Sequence, residues 1–594
     1  MRPLVFLLLF CLASGLPIQN VKHEEDGLFC TLCKDTVGLA ETIFGSNIIN
    51  ECLPDFIIFM CETLKIQSQN VCKGIVGNFQ DVFLYVLNEI LKEPVDVCGV
   101  LISSCDIPNN PLDSNWTAFV PDGKPPFEKD YPPKVGQYPD LRVLQIADVH
   151  IDLKYAVGSE VECGEPQCCR MPKQRELNGN VICPTATISN VKEAAGYWGS
   201  VGNCDAPVWM FESMLKHANE TQDRIDYIVV SGDLESHADW EYSEDGHIKV
   251  INKVTELLKK YFPSTRVLFC IGNHEGVPIN IIGTHSVPER FQPTWLYKAM
   301  ADAFSPDWLS DEEKQTFLYN GCYSTKICDG LRLISLNNVF GDNINFLMYI
   351  NQTDPDGTMT WLTNELKKAE DAGTITAQFF GHTHSELVYL TFEDPNDSNS
   401  RPTSVVYSSP SITTYSDFNP AYRVYTIDGL RPLSTYKIID FEEYFLDLET
   451  ANKDGSRGID APWQVLYPSA KDEYQLRWLE PSNWHDLALE FLKGSRLLQT
   501  YVGNKNRRFN QFCDKECAKE VVCSMFTSQK DNRKLCSGLQ TSMNKKPIGP
   551  ESRWTSKELK TKSLELRRQT ARNKLRKNNF TDKCPIAKSQ RTQP

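Results

Sequence analysis

Four short segments, Asp148-Val149-His150, Gly232-Asp233, Gly272-Asn273-His274-Glu275 and Gly381-His382-Thr383-His384, gather carboxylates, an amide and imidazoles. These donors suit zinc, iron or manganese, and no cysteine sits among them to draw a softer ion. A carboxylate such as Asp233 can bridge two ions that hold a hydroxide between them, the nucleophile that phosphoester cleavage requires. The chemistry implied is that of a two-metal phosphoesterase.

Each segment follows an apolar, largely β-branched or aromatic run: 143–147, 227–230, 267–271 and 375–380. Such runs read as buried strands. In open α/β sheets ligands bind beyond the carboxyl ends of strands, so the four tips should converge on one crevice. Helical stretches at 208–217 and 250–261 alternate with the strands, as in an α/β domain.

The four segments resemble the motifs of the calcineurin-like metallophosphoesterase family. The surrounding text is similar to the sphingomyelinase branch of that family, notably Ala195-Gly196-Tyr197-Trp198-Gly199, Thr353-Asp354-Pro355 and Tyr422-Arg423-Val424-Tyr425, over about residues 27–540. The resemblance implies an α/β metallophosphoesterase fold, a β-sandwich flanked by helices. It also implies hydrolysis of sphingomyelin to ceramide and phosphocholine by hydroxide attack activated by two zinc ions. Carried over by position, Asp148, His150, Asp233 and His384 would hold one ion, and Asp233, Asn273 and His382 the other. His274 would protonate the leaving alkoxide, its ring oriented by Glu275 or a backbone group, with His237 as the second donor.

The family pattern contains a further Gly-His tip before the last motif, and here it is missing. Between Glu275 and Gly381 the only histidine is His285, in a polar loop. A β-α unit is therefore expected to be absent, leaving the second ion three protein ligands. Two alternatives follow: a phosphodiesterase acting on soluble phosphoesters, or a lipid-binding form with an impaired site.

The chain has 594 residues and begins with Met1-Arg2-Pro3, an apolar run and small residues, which reads as a signal peptide over 1–15. Its 21 cysteines and five sequons, at Asn115, Asn219, Asn351, Asn396 and Asn579, fit a secreted or lysosomal glycoprotein. Residues 26–109 form a cysteine-stapled helical unit resembling a saposin B-type domain, which would bring sphingomyelin from a membrane lipid surface. That resemblance implies bridges Cys30 to Cys105, Cys33 to Cys98 and Cys61 to Cys72.

Eight prolines between Ile107 and Leu141 mark a semi-rigid linker, 110–140. The catalytic domain is expected over 141–465, with implied bridges Cys163 to Cys168 and Cys169 to Cys204. A helical C-terminal region follows over 466–545, with Cys513 to Cys517 and Cys523 to Cys536. Cys322 and Cys328 are near enough in sequence to bridge, and Cys52, Cys183, Cys270 and Cys584 have no implied partner. From Asn544 onward 15 Lys/Arg face 4 Asp/Glu, so the tail, 546–594, reads as basic and disordered beside an acidic body. No nucleic-acid partner is expected, and the chain reads as a monomer.

Overall fold

The computed structural model describes most of residues 30–105, 116–121 and 140–539, with internal gaps, the longest at 183–190 and 528–535. The segment expected to be a signal peptide, most of the expected linker, the basic tail, Asn115, Asn579, Cys183 and Cys584 lie outside the described residues.

Two β-sheets form the centre. The first contains β1 (Leu141–Ile146), β2 (Tyr227–Val230), β3 (Arg266–Phe269), β7 (Ala421–Ile427), β8 (Ile438–Phe445) and β9 (Gln464–Tyr467), in the order β9-β8-β7-β1-β2-β3. The second contains β4 (Gln378–Phe380), β5 (Leu387–Phe392) and β6 (Pro402–Ser408), in the order β4-β6-β5. β1, β2 and β3 run parallel, with Val143 opposite Tyr227 and Tyr227 opposite Arg266. Parallel neighbours need crossovers, supplied by helices Val208–Thr221 and Glu244–Tyr261. The second crossover starts where Ser243 accepts from the Gly246 N–H, with Glu244 and Asp245 in its first turn and Lys259 and Lys260 in its last.

The sheets pack face to face through aromatic rings. Phe379 of β4 meets Tyr425 of β7 with ring centroids 4.9 Å apart, and Tyr407 of β6 meets Phe441 of β8 at 5.8 Å. Gln145 ties the sheets at the level of the tips: its Nε2 donates to Ser231 Oγ (2.8 Å) and to Phe380 O (3.2 Å), while Tyr425 Oη donates to its Oε1 (2.9 Å). The domain is thus two packed sheets, the larger one mixed, with flanking helices.

Before it stand the helices α1 (Asn47–Thr63), α2 (Gln69–Leu91) and α3 (Pro94–Leu101), and residues 30–31 and 33–38 are also helical. Disulfides join Cys30 to Cys105, Cys33 to Cys98 and Cys61 to Cys72. Helix α2 lies directly on the catalytic unit. Phe79 and Phe83 meet Phe346, and Tyr85 meets Phe291. Asn78 Nδ2 donates to Asp239 O at 2.8 Å, and Gly74 lies so close to Trp240 that a β-carbon there would strike its carbonyl oxygen. Helix α1 exposes Phe56, Ile57 and Phe59, and the turn after it exposes Leu64 and Ile66. No helix among the described residues is long and apolar enough to cross a membrane.

Four more disulfides pair Cys163 with Cys168, Cys169 with Cys204, Cys513 with Cys517 and Cys523 with Cys536. Cys322 and Cys328 do not bridge to each other. Cys322 immediately precedes the six-residue strand Tyr323–Cys328 and Cys328 ends it, and an extended strand advances about 3.3 Å per residue. Their separation therefore far exceeds the reach of a disulfide.

Candidate metal centre

The tips of β1, β2 and β3 emerge side by side, and β4 delivers the fourth from the other sheet. Asp148, His150, Asp233, His382 and His384 all have positive φ, between 38° and 70°. Such backbone costs a non-glycine residue about 1–3 kcal/mol and persists only where its surroundings hold it. Here the His150 N–H donates to Asp233 O (3.0 Å), the His274 N–H to Asp233 Oδ1 (2.9 Å) and the His382 N–H to Asp148 Oδ1. The β2 and β3 tips touch backbone to backbone: a β-carbon on Gly232 would lie 2.6 Å from Gly272 N, so only glycine fits.

One cluster joins Asp148, His150, Asp233 and His384. His150 Nδ1 is 2.7 Å from Glu235 O, which fixes its proton there and turns the Nε2 lone pair inward. That Nε2 is 3.2 Å from His384 Nε2 and 4.0 Å from Asp233 Oδ2. Asp148 Oδ2 is buried with no hydrogen-bond partner. Burial and the neighbouring Asp233 carboxylate push Asp148 well above the usual carboxylate range, and burial pushes Asp233 up to about 6. Burial and then His237 hold His150 well below the ordinary histidine value.

A second cluster joins Asp233, Asn273 and His382. Asn273 Nδ2 donates to Asn280 Oδ1 (2.8 Å), which aims Asn273 Oδ1 at His382 Nδ1, 2.9 Å away. The same oxygen is 3.1 Å from Asp233 Oδ2. An orphaned buried carboxylate oxygen and two imidazole nitrogens facing each other are what an intervening cation resolves. The donor set therefore fits divalent metals.

His285 is not part of either cluster. It is exposed, with Nδ1 3.0 Å from Asp356 Oδ2 and its ring stacked on Tyr319. The Ala372 to Gly381 junction, where a β-α unit is expected to be absent, includes residues 373–376 outside the described set.

His237 and His274 flank the clusters, with ring centroids 4.1 Å and 4.6 Å from that of His150. His237 Nδ1 is 2.9 Å from the buried Asp205 Oδ1, Thr413 Oγ1 donates to the same oxygen, and the ring lies flat on Tyr415 at 3.7 Å. Burial opposes its charge, yet the Asp205 carboxylate holds His237 above the usual histidine range. His274 Nδ1 is 2.6 Å from Tyr242 Oη, and burial followed by the His237 charge holds it well below that range.

Glu275 does not orient the His274 ring. Its carboxylate accepts from the Asp233, Leu234 and Gly272 N–H groups, at 2.9, 2.7 and 2.6 Å, so it braces the two tips instead. Asp205, Tyr242, Thr413 and Tyr415 sit in irregular segments with no strand or motif before them, and the only sequence mark is the Cys204 bridge beside Asp205.

A family model for calcineurin-like phosphoesterases matches residues 141–386. Among curated proteins, the chain is 35% identical over 562 residues to sphingomyelin phosphodiesterase 1 of Caenorhabditis elegans, covering 87% of this chain and 95% of that one. It is 32% identical over 516 residues to sphingomyelin phosphodiesterase of Homo sapiens, covering 81% and 78%. Sphingomyelin phosphodiesterase B of Dictyostelium discoideum is 31% identical over 524 residues, covering 81% and 77%.

Proposed function

Because the chain belongs to the sphingomyelin phosphodiesterase family of calcineurin-like phosphoesterases, we propose that it hydrolyses sphingomyelin to ceramide and phosphocholine with two zinc ions. The observation that carries the reading is the convergence of Asp148, His150, Asp233, Asn273, His382 and His384 beside His237 and His274. Bound divalent ions supply positive charge that polarises phosphoryl oxygens and lowers the pKa of water.

The protein's own groups do the rest. Asp233 belongs to both clusters and bridges them. His237 carries the proton for the departing ceramide alkoxide, because Asp205 stabilises the charged ring and Tyr415 fixes its plane. His274, locked by Tyr242, faces the reacting phosphate as a neutral hydrogen-bonding group. Residues 26–109 act as a saposin B-type module. The exposed Phe56, Ile57 and Phe59 enter the lipid surface while α2 keeps the module against the catalytic unit. The seven disulfides and the exposed sequons at Asn219, Asn351 and Asn396 support a secreted or lysosomal glycoprotein.

The test is phosphocholine release from sphingomyelin liposomes by purified enzyme, with zinc measured per chain. Turnover that disappears on chelation and returns with zinc is the expected result. Turnover of soluble diesters alone, with no liposome hydrolysis, would favour the soluble-substrate alternative.

A further inference from the structure

The C-terminal helices Pro481–Phe491, Arg496–Asn506 and Lys515–Phe526 contribute no residue to either metal cluster. The side chain of Arg507, at the end of the second, nevertheless reaches the backbone of a cluster residue. Arg507 closes the helix Arg496–Asn506 with φ of 48°, and its side chain is fully buried. A buried guanidinium is costly unless its donors are matched, and here they are matched with a pattern.

Arg507 Nη1 donates to His384 O (2.9 Å), Nη2 to Ser411 Oγ (3.2 Å) and Nε to Asn419 O (2.7 Å). Asn419 Nδ2 returns a hydrogen bond to Arg507 O (3.1 Å), and the Ser411 N–H donates to His384 O (3.3 Å). Phe418 lies under the guanidinium at 4.8 Å and meets the His384 ring edge-on at 6.4 Å. Ser411 and Asn419 are the two ends of one loop. Its middle carries Thr413, which donates to Asp205, and Tyr415, which stacks on His237.

We infer that Arg507 is a positioning residue through which the C-terminal region sets both the metal ligand His384 and the 411–419 loop that holds the Asp205–His237 pair. A guanidinium suits the task because its rigid planar fork spreads donors over Nε, Nη1 and Nη2, whereas the three donors of an ammonium radiate from a single atom. Gln499, on the same helix, exchanges hydrogen bonds with the Cys513 backbone at 2.8 and 3.0 Å, so the Cys513–Cys517 disulfide anchors the element that carries Arg507. The inference rests on the metal reading above.

The test uses the full-length enzyme loaded with cobalt, comparing wild type with Arg507→Met, Arg507→Lys and Ser411→Ala. Ion release to a chelator, the visible spectrum of the bound cobalt and cooperative unfolding are each measured. The expected result is cooperative unfolding in Arg507→Lys and Ser411→Ala, with one of the two ions leaving at least about tenfold faster in Arg507→Lys and its cobalt spectrum altered. Ser411→Ala should show a smaller change in the same direction. Should Arg507→Met fail to fold, the other two variants decide. Wild-type release rates and spectra in folded Arg507→Lys would overturn the inference and leave the metal reading standing. A wild-type protein that binds no ion would overturn both.

Discussion

His237 Nδ1 lies 2.9 Å from Asp205 Oδ1, and that carboxylate has no exposure to solvent. A ring nitrogen of His237 stands within 4.8 Å of ring nitrogens of His150 and His384. A ring whose charge a buried carboxylate favours, with its Nδ1 taken by that carboxylate, is suited to giving up a proton.

His237→Gln should therefore lower kcat about 100- to 1000-fold on a soluble phosphodiester while leaving metal content unchanged. Asp205→Asn should cost roughly tenfold, since the ring stays in place with its charge less favoured. Steady-state kinetics paired with metal analysis check both, and loss of an ion in His237→Gln would make it a ligand instead.

The two clusters differ in their protein shell: one has Asp148, His150, Asp233 and His384, the other Asp233, Asn273 and the exposed His382. Chelator titration should remove the ions in two separate steps. His382→Ala should abolish the weaker step only, whereas Asp233→Asn should weaken both, because its carboxylate is common to them. A single step in the wild type would contradict the assignment.

On the lipid side, Phe56→Ser with Phe59→Ser removes two exposed rings from α1. Burying such a side chain is worth about 1.5–3 kcal/mol, so liposome turnover should fall at least tenfold while hydrolysis of a soluble diester is retained. Vesicle flotation gives an independent measure of the lost membrane binding.

Stability should depend on pH through a buried pair away from the metal clusters. Burial, then the neighbouring Glu386 carboxylate, push Glu443 up to about 8 despite its contact with Arg423 (2.9 Å), and Glu443 Oε1 has no partner. Its folded pKa is thus above its unfolded one. The folded state binds the extra proton between about pH 4.5 and 8, so stability is greatest in acid and declines as pH rises through that window. Thermal unfolding should show the decline, and Glu443→Gln should flatten it by a few degrees.

The four strand tips were legible because their apolar runs end in residues that no core would accept, and Asp148, Asp233, Asn273 and His382 emerge where those runs stop. What binds the tips together was not legible. Glu275 adjoins His274 in sequence, yet tertiary packing turns its carboxylate to the backbone of Asp233 and Leu234, and a tyrosine from an irregular segment takes the ring. Arg507 is 123 residues from the His384 carbonyl it holds, and no periodicity or motif encodes a contact of that span. Cys322 and Cys328 misled for the opposite reason, being close along a chain that is locally extended.

The left-handed backbone at Asp148, His150, Asp233, His382 and His384 sets a conflict between durability and purpose. Glycine at any of these positions would relax the chain, and a selection for heat resistance that ignores turnover would reward its arrival. Thermostabilised descendants of this sequence should therefore shed their metal-binding residues first, and a screen that retains all five would have to select for catalysis at every round.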